Sequence, residues 1–454
     1  MATTPASTQE LPGYNSNGNA RPAQPTTTAA TSRRPKEFEY KIEKSGRPIA
    51  VLTLFSEAAL SKNIPTYVEG SMIKGNLRLS LGQGDSVRSV TITVQGQFIT
   101  GVNPEDQLNF IDITKTLWSQ SDGAPKNATA DHDSSSPPTD EQPSTKFNGK
   151  LQGEYLWPFA IDLPKKVNLS LDGRSDGRQA SEPFAPPQTF NERTVRAGIH
   201  YEISVRIARG RFRLSTQFGY IPTIKPPPFL PLRRLAYQEG TKLLGPHVDT
   251  EGWHSQDPVQ VQGRIFDNRP VNVACKLYIS KPLSYTRGSV IPLYLHLESD
   301  DQEALDLLSS PKGIAVHLRR HVNFGILEKK ANAKVISYQS TVEDSLPAVW
   351  WPSIEENNPP ASDRRRYVNG ELHLKVGLKP SSDMPLLHVE YFVVVLPFKT
   401  TGFVHSGEDV LLKQPVDIAT IYAPGPRPVK SAPPGYDLEI PSNPTFTSAK
   451  NNFL

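Results

Sequence analysis

The chain has 454 residues, with 50 Lys and Arg against 46 Asp and Glu, a net charge of +4. That near-balance argues against nucleic acid as the main partner. The single cysteine, Cys275, excludes an intrachain disulfide and reads as intracellular. At about 150 residues per domain the length predicts two or three domains, each able to bury an unstapled core.

Residues 1–35 are rich in Thr, Ala, Pro, Asn and Gln and are expected to be a disordered tail. They carry no apolar core, so neither a signal peptide nor an anchor is expected there, and Ala2 excludes myristoylation. No apolar run approaches the ~20 residues that span a bilayer; residues 391–396 come nearest.

From residue 36 the pattern has period two. Residues 73–81 alternate apolar and polar. Val90, Ile92, Val94, Gly96 and Phe98 then face one way, with Thr91, Thr93, Gln95 and Gln97 the other. Tyr155, Trp157, Phe159, Ile161 and Leu163 repeat the pattern, as do Ile199, Tyr201, Ile203, Val205 and Ile207. This predicts a β-sandwich over residues 36–225, with a disordered Ser/Pro/Asp-rich insertion at 119–146 and a shorter loop at 171–188.

Residues 226–255 break the pattern and are expected to be an interdomain connection, with a turn or two of helix near Leu232 to Tyr237. Period two resumes with Val273, Cys275, Leu277 and Ile279, then Ile291, Leu293, Leu295 and Leu297, then Leu372, Leu374, Val376 and Leu378. A short helix is expected near Glu303 to Leu308, and a last strand within 410–421. The fold class is therefore all-β: two tandem immunoglobulin-like sandwiches, the second over residues 256–422, with disordered termini.

After Tyr422, prolines 424, 426, 428, 433, 434, 441 and 444 exclude a strand, so residues 423–454 are expected to be a disordered tail. It contains Ala432-Pro433-Pro434-Gly435-Tyr436-Asp437. The two prolines bias the backbone toward polyproline II, Gly435 acts as a spacer, and Tyr436 offers a ring with a hydroxyl tip. Pro-Pro-x-Tyr looks like the ligand consensus of WW domains. With 43 Pro and 15 Tyr, chance supplies roughly 0.13 such matches, so position in an accessible tail carries the reading.

Two cysteine-poor sandwiches followed by this motif resemble the arrestin-like proteins, specifically the α-arrestin branch. Tyr67-Val68-Glu69-Gly70-Ser71-Met72-Ile73-Lys74-Gly75 looks like the first long strands of the family's N-terminal domain. Trp157-Pro158-Phe159-Ala160-Ile161-Asp162-Leu163-Pro164 and Gly198-Ile199-His200-Tyr201-Glu202 are similar to two later ones. Leu277-Tyr278-Ile279-Ser280-Lys281-Pro282, with Arg287-Gly288-Ser289, resembles the opening of its C-terminal domain. The likeness covers most of residues 38–422. No counterpart of the buried charged cluster of visual and β-arrestins is legible, nor a clathrin-box-like segment, and the interdomain connection is longer than the family's usual hinge.

The resemblance implies a non-enzymatic adaptor. Its sandwiches would engage a membrane transporter or receptor, and Pro433, Pro434 and Tyr436 would recruit a WW-domain HECT-type ubiquitin ligase, promoting ubiquitination and endocytosis. It would act in the cytoplasm, recruited to the plasma membrane or endosomes, without cofactor or metal. The alternative is an arrestin-fold trafficking or signalling scaffold that recruits no ligase; a third reading, an enzyme on a sandwich, lacks any catalytic motif in the sequence.

Further candidates are weaker. Leu11, Pro12 and Tyr14 form a second WW-type motif, set against a plain Pro-Gly turn. Arg209, Arg211 and Arg213 share a strand side and offer phosphate or lipid contact at a membrane surface, set against an ordinary solvated face. His317, Arg319 and His321 alternate similarly. Residues 228–233 match an SH3-type PxxPxR pattern, set against a packed linker, and residues 364–366 read as a solvated loop.

Overall fold

The structure, a computed structural model, describes residues 34–44, 46–58, 63–125, 146–169, 182–208, 212–266, 269–330, 333–353 and 363–436. The first body consists of β1 (Lys36–Lys44), β2 (Arg47–Ser56), β3 (Thr66–Val68), β4 (Ile73–Asp85), β5 (Ser89–Ile99), β6 (Gln107–Ser119), β7 (Leu151–Ile161), β8 (Gly198–Ala208) and β9 (Phe212–Ile221). They pair as a four-stranded sheet, β1-β2-β4-β7, and a five-stranded sheet, β3-β9-β8-β5-β6.

Alternation in sequence becomes alternation in burial. Val90, Ile92, Val94 and Phe98 of β5 are fully buried, while the residues between them are half-exposed. Each such side chain contributes about 1.5–3 kcal/mol through the water it sheds. Gly96 shares this inner face because nothing larger fits: a Cβ there would meet the Phe110 ring at 2.6 Å. Phe110 in turn sets its edge against Tyr201, with ring centres 5.7 Å apart.

The second body begins earlier than the alternation suggests. It comprises α1 (Pro231–Glu239), β10 (Trp253–Ser255), β11 (Val259–Ile265), β12 (Arg269–Ser280), β13 (Ser284–Thr286), β14 (Val290–Glu298), α2 (Gln302–Leu308), β15 (Val316–Lys330), β16 (Ala333–Pro347), β17 (Val349–Pro352), β18 (Arg365–His373), β19 (Ser382–Met384), β20 (Leu387–Val395), β21 (Phe403–His405) and β22 (Leu412–Ala419). One sheet runs β17-β18-β14-β12-β11-β21, with β10 added on β12; the other runs β13-β22-β20-β15-β16, with β19 added on β20. The all-β, double-sandwich expectation holds.

The stretch read as an interdomain connection, residues 226–255, is instead folded onto the second sandwich. The Arg233 guanidinium of α1 is buried; its Nη2 donates to the Gly252 carbonyl at 2.9 Å and lies 3.6 Å from Asp249. The Trp253 ring stacks 4.7 Å from that guanidinium, and Trp253, Tyr294 and Tyr367 form a satellite core. Since Arg233 is the arginine of the PxxPxR match, that pattern is structural linker here.

Two further expectations are corrected. β18 ends at His373, so Leu372, Leu374 and Leu378 are buried but Val376 is 70% exposed beside Gly288, and the four share no strand face. Residues 364–366 are not a free loop. Arg365 and Arg366 open β18, and ion pairs to Glu298 and Asp306 anchor them beside β14 and α2.

Candidate functional site

Two places bring functional side chains together: the carboxyl-terminal segment and the joint between the sandwiches, both within one compact unit from Pro35 onward.

Beyond β22 the prolines end strand pairing, and residues 423–436 follow a defined path where a disordered tail was expected. Arg427 lies over the Tyr422 ring at 4.7 Å. Ser431 and Ala432 then donate their backbone N–H groups to the two oxygens of Glu371 on β18, at 2.9 and 3.3 Å. Glu371 is buried, and its Oε1 also lies 2.6 Å from His373 Nε2. Its carboxylate is thus a clasp for the tail, held on β18 about 60 residues before the motif.

Pro433 is half-buried and helps line a cavity of about 130 Å³ with Trp253, Pro292, Trp351 and Pro352. The chain then turns. Tyr436 N–H donates to the Pro433 carbonyl at 3.1 Å, and Gly435 sits at φ +113°. A positive φ at the third position of such a turn favours glycine, so Gly435 is a corner rather than the neutral spacer assumed from sequence. Pro434 is exposed, and Tyr436 is 42% exposed. The motif is therefore a surface turn whose last two key side chains face solvent.

The joint is built from residues scattered along the chain. Arg320 of β15, 5% exposed, donates to both carboxylate oxygens of Glu192 in the first sandwich at 2.9 and 2.6 Å, and to Glu343 of β16 at 2.8 Å. Burial opposes the Arg320 charge, but the Glu192 hydrogen bonds and the two carboxylates outweigh it and raise its pKa. Arg287 donates to Gln188 at 2.9 Å and to the Leu378 carbonyl at 3.1 Å. Lys379 donates to the Thr189 carbonyl at 3.0 Å. Burial, reinforced by Arg287 and Arg320 and opposed by Glu192, pushes the Lys379 ammonium down to about 8. Thr420, just after β22, straps the linker by donating to Pro222 O at 2.6 Å and accepting from Ile224 N–H at 2.9 Å. Beside this cluster lies a cavity of about 620 Å³ between residues 182–190 and 379–389. A buried charged cluster thus stands at the joint. Glu192 and Arg320 are 128 residues apart, and no local pattern connects them.

The remaining candidates are placed as follows. Leu11, Pro12 and Tyr14, with Arg209 and Arg211, lie outside the described residues. Arg213 pairs with Glu202 across β8 and β9 at 3.2 Å, its side chain 65% exposed, a surface pair of little energetic weight. His317 Nδ1 lies 2.9 Å from the Ser345 carbonyl, Arg319 forks onto Asp344 at 2.6 and 2.8 Å, and His321 rests on Phe392. These three are tied into the β15–β16–β20 sheet. Cys275 is fully buried, which pushes its thiol up to about 12 and disfavours a thiolate. Among the described residues no group of His, Cys, Asp and Glu stands together as a metal site, and no helix is long and apolar enough to cross a membrane.

Residues 57–218 match the family described as arrestin (or S-antigen), N-terminal domain. The first sandwich is arrestin-like. The match begins just past β2 and runs into β9, so it takes in nearly all of the five-stranded sheet but only β4 and β7 of the four-stranded one, and it stops before α1. No curated protein matches the chain. An arrestin-like domain with a second sandwich behind it points in general terms to an adaptor or trafficking protein.

Proposed function

We propose that this chain is a non-enzymatic α-arrestin-like adaptor that links a membrane transporter or receptor to a WW-domain HECT-type ubiquitin ligase, acting in the cytoplasm at the plasma membrane or endosomes. The observation that carries the reading is the exposed Pro434-Gly435-Tyr436 corner, presented just beyond the last strand of the second sandwich. WW grooves take proline and tyrosine side chains from a short extended segment, and the Pro434 and Tyr436 side chains already stand at the surface of the turn that would open into one. The arrestin-like first sandwich supports a cargo-holding body.

The test is capture of the full chain by WW domains of a HECT ligase. Substituting Pro433, Pro434 and Tyr436 by Ala is expected to abolish capture and cargo ubiquitination; capture that survives the triple substitution removes the ligase reading. The clasp between Glu371 and the backbone of Ser431 and Ala432 favours a second reading, in which the segment serves the fold and the protein is a trafficking scaffold without a ligase. Cargo sorting that is intact after the triple substitution selects that reading.

A further inference from the structure

Glu371 holds the tail by a carboxylate that is 1% exposed, accepts from the N–H groups of Ser431 and Ala432, and lies 2.6 Å from His373 Nε2. Backbone N–H groups bonded to a carboxylate are held about twice as firmly as on a neutral acceptor. While this clasp is closed, Pro433 lines the cavity of about 130 Å³ with Trp253, Trp351 and Pro352. A proline ring seated there is withheld from a groove on any other protein. The clasp therefore sets how much of the motif is on offer.

Ser431 joins the clasp through its backbone. The residue is exposed, and its N–H nitrogen lies 2.9 Å from Glu371 Oε2. Three bonds separate that nitrogen from Oγ, so a phosphoryl group on Oγ stands no more than about 8 Å from the carboxylate. That is at or inside the screening length of about 8–10 Å in roughly 0.1–0.15 M salt. The neighbouring lysines are Lys430, one residue earlier, and Lys242, which lines the same cavity; both are exposed. Ion pairs to exposed lysines are worth little in water, whereas a buried carboxylate feels a new charge through a medium of lower dielectric. Repulsion wins, as it does where phosphate is set beside an acidic side chain.

We propose that Ser431 is a phosphorylation site whose modification opens the clasp and frees Pro433. The γ-phosphoryl group of a nucleoside triphosphate passes to Oγ as its bond to the departing diphosphate breaks, and the hydroxyl proton goes to a base of the kinase. Arg427 and Lys430 precede the serine, which suits a kinase that reads basic residues on the amino-terminal side. Opening of the clasp is a property of this chain alone. Its consequence, a ligand better offered to a WW domain, rests on the ligase reading above.

Phosphopeptide mapping of the chain isolated from its own cells is expected to find phosphate on Ser431; a segment without it overturns the assignment. The full chain with phosphoserine encoded at position 431 is then compared with the unmodified chain. Hydrogen exchange of the Ala432 amide is expected to speed at least roughly tenfold. The gain is expected to fall below about threefold in Glu371→Gln, where no charge is left to repel the phosphate. If Glu371→Gln by itself leaves Ala432 unprotected, salt decides. Between about 0.05 and 1 M the effect of the phosphate on the native chain must shrink, because the screening length drops to about 3 Å. WW-domain affinity is expected to rise several-fold on phosphorylation. Exchange that is unchanged, or slowed by capture of the phosphate on Lys242 or Lys430, overturns the proposal. So does an acceleration that neither Glu371→Gln nor salt diminishes. Faster exchange with no WW-domain capture of either form supports the opening and removes the ligase reading instead.

Discussion

Arg320 of the second sandwich holds Glu192 of the first through two parallel hydrogen bonds, 2.9 and 2.6 Å long. The guanidinium fork matches a carboxylate at both nitrogens, which fixes direction as well as distance. Glu343 shares the same cation at 2.8 Å, so one arginine ties β15, β16 and the loop before β8 into a single joint.

Removing that cation leaves two carboxylates facing each other in a largely dry joint. Arg320→Ala is expected to destabilise the protein by about 3 kcal/mol, the lower end for breaking a buried pair, because Glu192 and Glu343 retain some solvent access. Glu192→Gln is expected to have a smaller effect, since Glu343 remains on the arginine. Urea unfolding midpoints measure both. An Arg320→Ala protein as stable as the native would place the pair among surface ion pairs of negligible weight.

Lys379 gives the same joint a pH signature. Its folded pKa is pushed down to about 8, below the ordinary value of 10.5, so between those values the unfolded chain binds more protons than the folded one. Stability from this group therefore rises with pH from about 8 upward, and below that its full penalty is present. Between pH 8 and 9 the native protein is expected to gain stability relative to Lys379→Met, which carries no titrating group there. Parallel pH profiles for the two proteins would show that Lys379 is not held in a dry site.

The tail motif is a folded turn before it is a ligand, so access to it has an energetic threshold. Gly435→Ala places a side chain at φ +113°, a backbone region disfavoured by about 1 kcal/mol or more for L-residues. It is expected to open the turn and raise WW-domain affinity several-fold, because binding no longer competes with the closed form. Glu371→Ala is expected to speed hydrogen exchange of the Ser431 and Ala432 amides, whose acceptors it removes. Unchanged affinity and unchanged exchange together would show that neither contact holds the segment.

Most of the sheet architecture was legible because strand burial has period two: the faces of β5, β8, β12 and β14 could be written down from Val90, Tyr201, Leu277 and Leu293 and their alternate neighbours. The failures have physical causes. Leu372, Leu374, Val376 and Leu378 alternate, but alternation does not say where a strand loses its partner, and β18 ends at His373. Residues 226–255 lack period two, yet they bury Arg233 and Trp253 against the second sandwich through one helix and one short strand.

By itself the sequence determined the class of fold, the inward faces of the long strands, and the presence of Pro433, Pro434 and Tyr436 beyond the last of them. Those are local properties, set by side-chain spacing and by the proline ring. Only the tertiary structure decided that Glu371 clasps the tail, that Gly435 is the corner of a turn, and that Glu192, Arg320, Glu343 and Lys379 meet. Such meetings depend on which strands become neighbours, and pairing over 128 residues leaves no trace in local spacing.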